Sequence, residues 1–227
     1  MKSHKLRLEN LGKIEALTDN QQQAINLFNQ DNHLVLSGSA GTGKTYLAMR
    51  LALEDVLDRE TEYDRVVIVR SIVPTRDIGF LPGNAEEKME AYIGPYKSIC
   101  EEVFDDHEAY EKLITSRQLE IISTSFIRGL TINNAIVIVD ECQNLNYHEL
   151  CSIITRIGRD CKFIMCGDYY QSDLSRNNEK QGILDFLMIV ENMKKFGVVE
   201  FGWEDIVRSD FVRDFIMTKE LFEKGNL

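Results

Sequence analysis

An eight-residue segment with the pattern G-x-x-x-x-G-K-T, residues 38–45, restricts this 227-residue chain to a small number of folds. The apolar run His33–Ser37 precedes the segment, and the helical pattern Lys44–Leu57 follows it. Its glycines let backbone N–H groups turn inward around an anion, and the start of the helix adds a dipole that favours negative charge. The segment and its context predict a strand, a phosphate-binding loop and a helix, in that order.

The positions of this loop have expected roles on a nucleoside triphosphate. Lys44 is predicted to reach the β- and γ-phosphates, and Thr45 is predicted to hold Mg²⁺. The residues predicted to bind the nucleotide, ATP, are Gly38, Ser39, Ala40, Gly41, Thr42, Gly43, Lys44, Thr45 and Tyr46. The alternative is a glycine-rich turn without a ligand, and the flanking strand and helix argue against it.

Two carboxylates follow another apolar strand pattern. The run Ala135–Val139 leads directly into Asp140 and Glu141. The carboxyl ends of parallel strands share one edge of a sheet, so both side chains are expected beside the phosphate-binding loop. Asp140 is predicted to help hold Mg²⁺, and Glu141 to be the base that orients the attacking water. A base beside the metal ligand indicates hydrolysis. The alternative for Asp140 and Glu141 is a solvated acidic turn, which would be equally plausible if no phosphate-binding loop were present.

Two glutamines are further candidates for contacts with the nucleotide. Gln171 follows the strand pattern Lys162–Cys166, where its amide could bond the γ-phosphate or the water, and it is therefore predicted to be catalytic. Gln21 precedes the first strand, where its amide could contact the adenine. A polar turn for Gln171 and a surface position for Gln21 are the open alternatives.

The order of apolar and helical patterns predicts an α/β fold. Short Val- and Ile-rich runs alternate with helical stretches, which is typical of a mainly parallel sheet with helices on both faces. The interval 71–118 is long for one crossover and predicts a helical insertion after the second strand. Residues 1–15 are predicted to form a basic N-terminal arm, and residues 16–227 a single domain. The predicted strands are His33–Ser37, Arg65–Val69, Leu119–Ser123, Ala135–Val139, Lys162–Cys166 and Val198–Phe201.

Composition argues against several other classes of protein. A net charge of −11, from 26 Lys+Arg and 37 Asp+Glu, disfavours a surface that coats nucleic acid, although it permits a local basic channel. The first residues lack the apolar core of a secretory signal, and no apolar run is long enough to cross a bilayer. Five cysteines without a CxxC pair and four scattered histidines indicate reduced thiols in a cytoplasmic protein, and they disfavour a Cys/His metal site.

Several motifs along the chain, taken in order, resemble those of PhoH-like proteins, a family similar to the motor core of superfamily-one helicases. The matching segments are residues 18–21, 38–48, 79–83, 125–129, 140–144 and 155–158, with Gly167, Asp168 and Gln171. The resemblance runs from about residue 16 to about residue 218. It implies a RecA-like P-loop ATPase in the cytoplasm of a bacterium or a phage-infected host, with suspected action on RNA.

The resemblance also implies roles for single positions. It places Gln171 at the γ-phosphate, Gln21 at the base, and Arg70 where related helicases face nucleic acid. Residues 205–208 (DIVR) resemble a late D-[IV]-V-R motif of the family. The chain departs from the family pattern at four positions, namely Ser39 and Ser71 in place of Pro, Cys142 in place of a smaller residue, and Ser209 in place of His.

One arginine is expected to stabilise the charge of the transition state. The candidates are Arg128, Arg176 and Arg208, and we predict Arg208, supplied by a neighbouring subunit, because a lone RecA-like domain has no second domain to complete the site. The alternative is an ion pair of Arg208 with Asp205 or Asp210. The prediction implies a homo-oligomer, most simply a ring, with a hexamer favoured.

Three residues are candidates for contacts with nucleic acid: Arg70, Phe80 and Arg128. Phe80 lies in the apolar turn 79–83, where it could stack on bases or form part of a buried plug. The sequence thus predicts an ATPase coupled to RNA or single-stranded nucleic acid binding, translocation or unwinding. Two alternatives stay open, a P-loop small-molecule kinase and an ATP-switched regulatory module that acts through a protein partner.

Overall fold

The computed structural model describes residues 5–71, 85–168, 177–223 and 225, which form six strands and seven α-helices. The strands are β1 (His33–Gly38), β2 (Arg65–Arg70), β3 (Leu119–Ser123), β4 (Ala135–Val139), β5 (Cys161–Gly167) and β6 (Phe196–Phe201). The helices are α1 (Asp19–Asn29), α2 (Lys44–Leu57), α3 (Ala85–Phe104), α4 (Ala109–Thr115), α5 (Tyr147–Ile154), α6 (Asn177–Glu191) and α7 (Asp210–Glu223).

The six strands form one parallel sheet in the order β3-β2-β4-β5-β1-β6. This confirms the predicted α/β architecture. Because all strands run the same way, the segments that follow them meet at a single edge. Strand β5 lies between β1 and β4, so its carboxyl end separates the glycine-rich loop after β1 from the two carboxylates after β4.

Both faces of the sheet are covered by helices, as the continuous apolar strand patterns predict. Successive side chains of a strand point to opposite faces. In β2, Val66 and Ile68 belong to the first core cluster, which lies beneath α1 to α4. Val67 and Val69 belong to the second core cluster, beneath α5 and α6. Every residue of β4 is buried, so the carboxylates that follow it start from a rigid base.

A helical insertion, α3 with α4, separates β2 from β3, and this confirms the prediction for the interval 71–118. Helix α3 continues through Pro95 and buries Tyr96 and Cys100 in the first core cluster. Helix α7 begins at Asp210, and Val207 and Arg208 ahead of it contact the loop after β1. Among the described helices, none is long and apolar enough to cross a membrane.

The described part of the predicted N-terminal arm, residues 5–15, packs on the rest of the chain. Leu6 is buried, and Leu11 and Ile14 pack against the first core cluster. The Gly12 N–H donates to the Val103 carbonyl at 3.3 Å, and Arg50 Nη2 donates to the Gly12 carbonyl at 2.5 Å. The arm therefore contacts both α2 and the insertion.

Asp55, on α2, is an ion-pair partner of a buried lysine. Lys162, on β5, is buried with its ammonium 3.9 Å from the ring centre of Phe28. Its Nζ lies 3.3 Å from Asp55 Oδ2 and 3.9 Å from Asp31 Oδ1. A buried ammonium is costly unless it is paired, so Asp55 compensates a charge at the amino edge of the sheet.

Candidate active site

The glycine-rich loop after β1 is closed around the ammonium of Lys44. Lys44 Nζ donates to the carbonyls of Gly38 and Ser39 at 2.8 and 2.7 Å, and to Thr42 Oγ1 at 3.1 Å. Thr42 Oγ1 in turn donates to the Ser39 carbonyl at 3.0 Å. The predicted phosphate-binding residues thus form one compact turn at the start of α2.

The electrostatic environment of Lys44 is mixed. Burial lowers the pKa of Lys44 below its ordinary value, and the carboxylates of Asp168, Glu141 and Asp140 oppose that shift. Bound phosphates would add negative charge beside the ammonium and favour its charged form. Lys44 is therefore suited to neutralise a polyphosphate.

Two oxygen groups from distant parts of the sequence meet beside this loop. Thr45 Oγ1 donates to Asp140 Oδ1 at 2.8 Å, although 95 positions separate the two residues. Asp140 is buried, with 4% of its surface exposed. A hydroxyl and a carboxylate suit Mg²⁺, which is commonly held by one or two protein oxygens together with substrate phosphates. Within the described ranges, no cluster of three or more His, Cys, Asp or Glu side chains forms a separate metal cage.

The second oxygen of Asp140 has a partner that the sequence did not predict. The Tyr96 hydroxyl, from α3, donates to Asp140 Oδ2 at 2.8 Å. Arg70 Nη1 donates to the Tyr96 oxygen at 3.3 Å, and the Arg70 guanidinium lies 5.2 Å from the ring centre of Tyr92. Burial, together with the charge of Asp140, raises the pKa of Tyr96 far above its usual range, so the phenol stays a donor.

Glu141 is held by a bridge to the neighbouring strand. Its backbone has a left-handed conformation, with φ 52°. Gln143 Nε2 donates to Glu141 Oε2 at 2.5 Å, and Gln143 Oε1 accepts from the Asp168 N–H at 3.2 Å. The amide of Gln143 therefore connects the predicted base after β4 to the end of β5. Sequence reasoning used Gln143 only as part of a motif and missed this contact.

Gln21 braces the loop from the side of α1. Its Nε2 donates to the Thr42 carbonyl at 3.2 Å, and its Oε1 accepts from the Leu17 N–H at 2.8 Å. The side chain is buried, so it does not lie on the surface. The predicted contact of Gln21 with adenine stays a prediction. It would use the same side-chain amide that already bonds Thr42 and Leu17.

Residues 205–208 also contact the loop, next to the start of α1. The Val207 N–H donates to the Gly41 carbonyl at 3.0 Å, and a Cβ built on Gly41 would lie 3.0 Å from Arg208 Cγ. The Asp205 carboxylate accepts from the Gly202 N–H and from Asn20 Nδ2, both at 2.8 Å. Arg208 thus lies beside the loop of its own chain.

The remaining candidates differ in what the structure says of them. Arg128 is exposed after β3, and Phe126 beside it is 64% exposed. Phe126 lies in the motif 125–129, but sequence reasoning gave it no role, because its exposure is known only from the structure. Phe80, Gln171 and Arg176 lie outside the described residues.

A cleft of about 470 Å³ adjoins the phosphate-binding loop on the side of β6. It is rich in carboxylates, which would repel phosphates. We therefore do not assign it to the triphosphate. Its acidic lining residues are Asp168, Glu200, Glu204, Glu220 and Glu223.

Comparison with protein families gives one match over most of the chain. The model of the family described as PhoH-like protein matches residues 13–220. A PhoH-like protein of Synechocystis sp. is 32% identical over 212 residues, which are 92% of this chain and 63% of that protein. Protein PhoH of Escherichia coli K12 is 34% identical over 175 residues, which are 76% of this chain and 49% of that protein. The chain thus spans less than two thirds of the length of these relatives.

Comparison with solved structures identifies the same kind of fold. The structure of the DUF1998 helicase MrfA bound to DNA matches 88% of this chain and 28% of that chain, with a TM-score of 0.51 and 14% identity. At this identity the similarity shows the fold alone. It is the predicted RecA-like fold of helicase motor domains.

Replacement of Gln21 tests its bracing role. Gln21→Ala should lower the free energy of unfolding by about 1–3 kcal/mol without any nucleotide, because a buried carbonyl loses its donor. Urea denaturation measures this change. The matched control is Gln22→Ala on the same helix, where the exposed side chain should matter by less than about 0.5 kcal/mol. Equal denaturation midpoints for the two variants would contradict the bracing role.

Proposed function

This chain belongs to the family of PhoH-like proteins, and on that premise we propose that it binds ATP with Mg²⁺ and hydrolyses it. The observation that carries the proposal is the hydrogen bond between Thr45 and Asp140 beside the ammonium of Lys44. A glycine-rich turn without a ligand would have no need of a buried carboxylate from another strand. The family and the helicase-like fold support a nucleotide-binding ATPase.

In this proposal, each residue of the site has a separate role in phosphoryl transfer to water. Lys44 exchanges its bonds to the loop carbonyls for bonds to the β- and γ-phosphates. Thr45 and Asp140 would hold Mg²⁺, which when bound supplies positive charge against the phosphate oxygens. Glu141 accepts the proton of the attacking water, while Gln143 fixes its other oxygen.

Arg208 completes the charge stabilisation in this proposal. Its stem lies against Gly41 of the same chain, and its side chain is exposed. The guanidinium is thus free to turn toward bound phosphates. Gln171 remains a proposed ligand of the γ-phosphate.

Removal of the carboxylate of Glu141 tests hydrolysis. Glu141→Gln should lower the rate of phosphate release by about 10²-fold or more, because the general base is lost. Affinity for ATP should persist, since Lys44 and Thr45 are intact. Phosphate release is measured without any acceptor molecule, which also tests the small-molecule kinase alternative.

The matched control for hydrolysis is Glu60→Gln, an exposed residue at the opposite edge of the sheet. It should keep the activity of the unmodified chain. An unmodified chain that binds ATP and releases no phosphate would overturn hydrolysis and favour the regulatory module.

We further propose that single-stranded nucleic acid, RNA in the first place, contacts the segment after β3. Phe126 and Arg128 are both exposed there, at the same edge of the sheet as the nucleotide site. An aromatic face for stacking and a guanidinium for phosphate are the groups that single strands bind. The net charge of −11 confines such binding to local patches. Phe80 remains a candidate for the same strand.

Two substitutions test this contact. Phe126→Ala should weaken binding of single-stranded RNA by about 1–3 kcal/mol through lost stacking. Arg128→Ala should reduce the slope of log affinity against log salt by about 0.7, because one phosphate contact is lost. The control Arg59→Ala removes the same charge from an exposed residue at the opposite sheet edge. A loss of affinity equal to that of Arg59→Ala would refute the assignment.

We also propose that copies of this chain assemble into a ring, with a hexamer favoured. Helix α7 presents Phe211, Phe215 and Phe222 on one face, with 82%, 62% and 72% of their surfaces exposed. Exposed apolar stripes of this kind mark interfaces. Because α7 starts two residues after Arg208, a second copy seated on this stripe would adjoin the nucleotide site.

A charge placed in the stripe tests assembly. Phe215→Asp should reduce the mass measured by sedimentation equilibrium to that of a monomer, because a buried carboxylate without a partner is costly. Leu17→Asp is the control, since this side chain is 70% exposed and lies ahead of α1, outside the stripe. A monomeric mass for the unmodified chain would rule out the ring.

A further inference from the structure

A continuous chain of hydrogen bonds joins the helical insertion to the proposed metal site. It runs from Arg70 to Tyr96 at 3.3 Å, from Tyr96 to Asp140 at 2.8 Å, and from Thr45 to the other oxygen of Asp140 at 2.8 Å. Arg70 ends β2, Asp140 follows β4, and these two strands are neighbours. Tyr96 is the member that comes from the insertion.

The two hydroxyl donors fix the orientation of the Asp140 carboxylate. Each of its oxygens accepts one of them, and the Asp140 N–H donates to the Val69 carbonyl at 3.1 Å. If the Tyr96 hydroxyl were absent, Oδ2 would lose that donor inside the protein, and the carboxylate could turn away from Thr45. The hydroxyl of Tyr96 therefore acts on the geometry of the Thr45–Asp140 pair.

Packing alone does not account for a tyrosine at this position. Tyr96 is fully buried in the first core cluster, among apolar side chains of α2 and α3. A phenylalanine would fill the same volume without the cost of burying a hydroxyl. The hydroxyl is offset by its bonds to Asp140 and Arg70, so its contribution lies in those bonds.

We propose that Tyr96 is a positioning residue for the Mg²⁺-nucleotide site, and that Arg70 acts through it. This inference rests on the proposed ATPase function and adds a role for the helical insertion. Tyr96 need not contact the nucleotide or the cation. It holds Asp140 in the orientation in which Thr45 and Asp140 can share Mg²⁺.

The test separates binding of the cation from binding of the nucleotide. The full chain, Tyr96→Phe and the control Tyr110→Phe are titrated with a fluorescent, non-hydrolysable ATP analogue, with EDTA and at increasing Mg²⁺ concentrations. Tyr110 belongs to the same insertion and packs against the same core cluster. In EDTA, Tyr96→Phe should bind the analogue with the affinity of the unmodified chain. The Mg²⁺ concentration that gives half of the maximal increase in affinity should rise about 10-fold. Tyr110→Phe should match the unmodified chain.

The outcomes distinguish this inference from the proposed function. An unmodified chain that binds no analogue, or binds it without enhancement by Mg²⁺, overturns the proposed function and the inference with it. If Mg²⁺ raises the affinity of Tyr96→Phe for the analogue at the same concentrations as in the unmodified chain, the inference alone is overturned. An equal loss of affinity with and without Mg²⁺ marks a purely structural role and also overturns it.

A second variant keeps the test decisive if Tyr96→Phe folds poorly. Arg70→Met removes the donor to the Tyr96 oxygen and leaves Tyr96 in place. It should shift the Mg²⁺ dependence in the same direction by a smaller factor. Where Tyr96→Phe does fold, Arg70→Met should add nothing in that background if Arg70 acts through Tyr96. An unchanged Mg²⁺ dependence in Arg70→Met, or additive shifts in the double variant, would overturn the role given to Arg70.

Discussion

The hydrogen bond from Thr45 to Asp140 joins the two halves of the proposed nucleotide site, and it depends on the order of the strands. Its two residues follow strands that are not adjacent, since β5 lies between β1 and β4. The bond can form only because all three strands are parallel and end at one edge. The buried aliphatic side chains on both faces of β4 fix where Asp140 emerges, and α2 fixes Thr45 in its first turn.

The parts of the site are braced from different directions. Gln21 from α1 and Val207 ahead of α7 hold the phosphate-binding loop at the carbonyls of Thr42 and Gly41. Gln143 holds Glu141 against the end of β5. These braces restrict the backbone before any nucleotide arrives, so the binding energy of the ligand is not consumed in ordering the loop.

The helical insertion, α3 with α4, also supports the site. Tyr96 reaches Asp140 from a helix that belongs to neither the loop nor the strand of that residue. Arg70, which resembles a nucleic-acid contact of related helicases, is bonded to Tyr96. A change at the insertion would therefore reach Asp140, at the proposed cation site, through a single hydroxyl.

The sequence by itself determined the local pieces. The pattern of residues 38–45, the apolar run before Asp140 and the alternation of strands and helices follow from short-range backbone and burial preferences, and they predicted the parallel sheet and the residues of the loop. Tertiary structure decided the partners. Nothing near Tyr96, Gln143 or Gln21 in the sequence indicates their contacts with Asp140, Asp168 and Thr42, because side chains far apart in the chain meet only after the strands have taken their order. The same reason places Arg208 beside the loop of its own chain, a contact that no neighbouring residue in the sequence indicates.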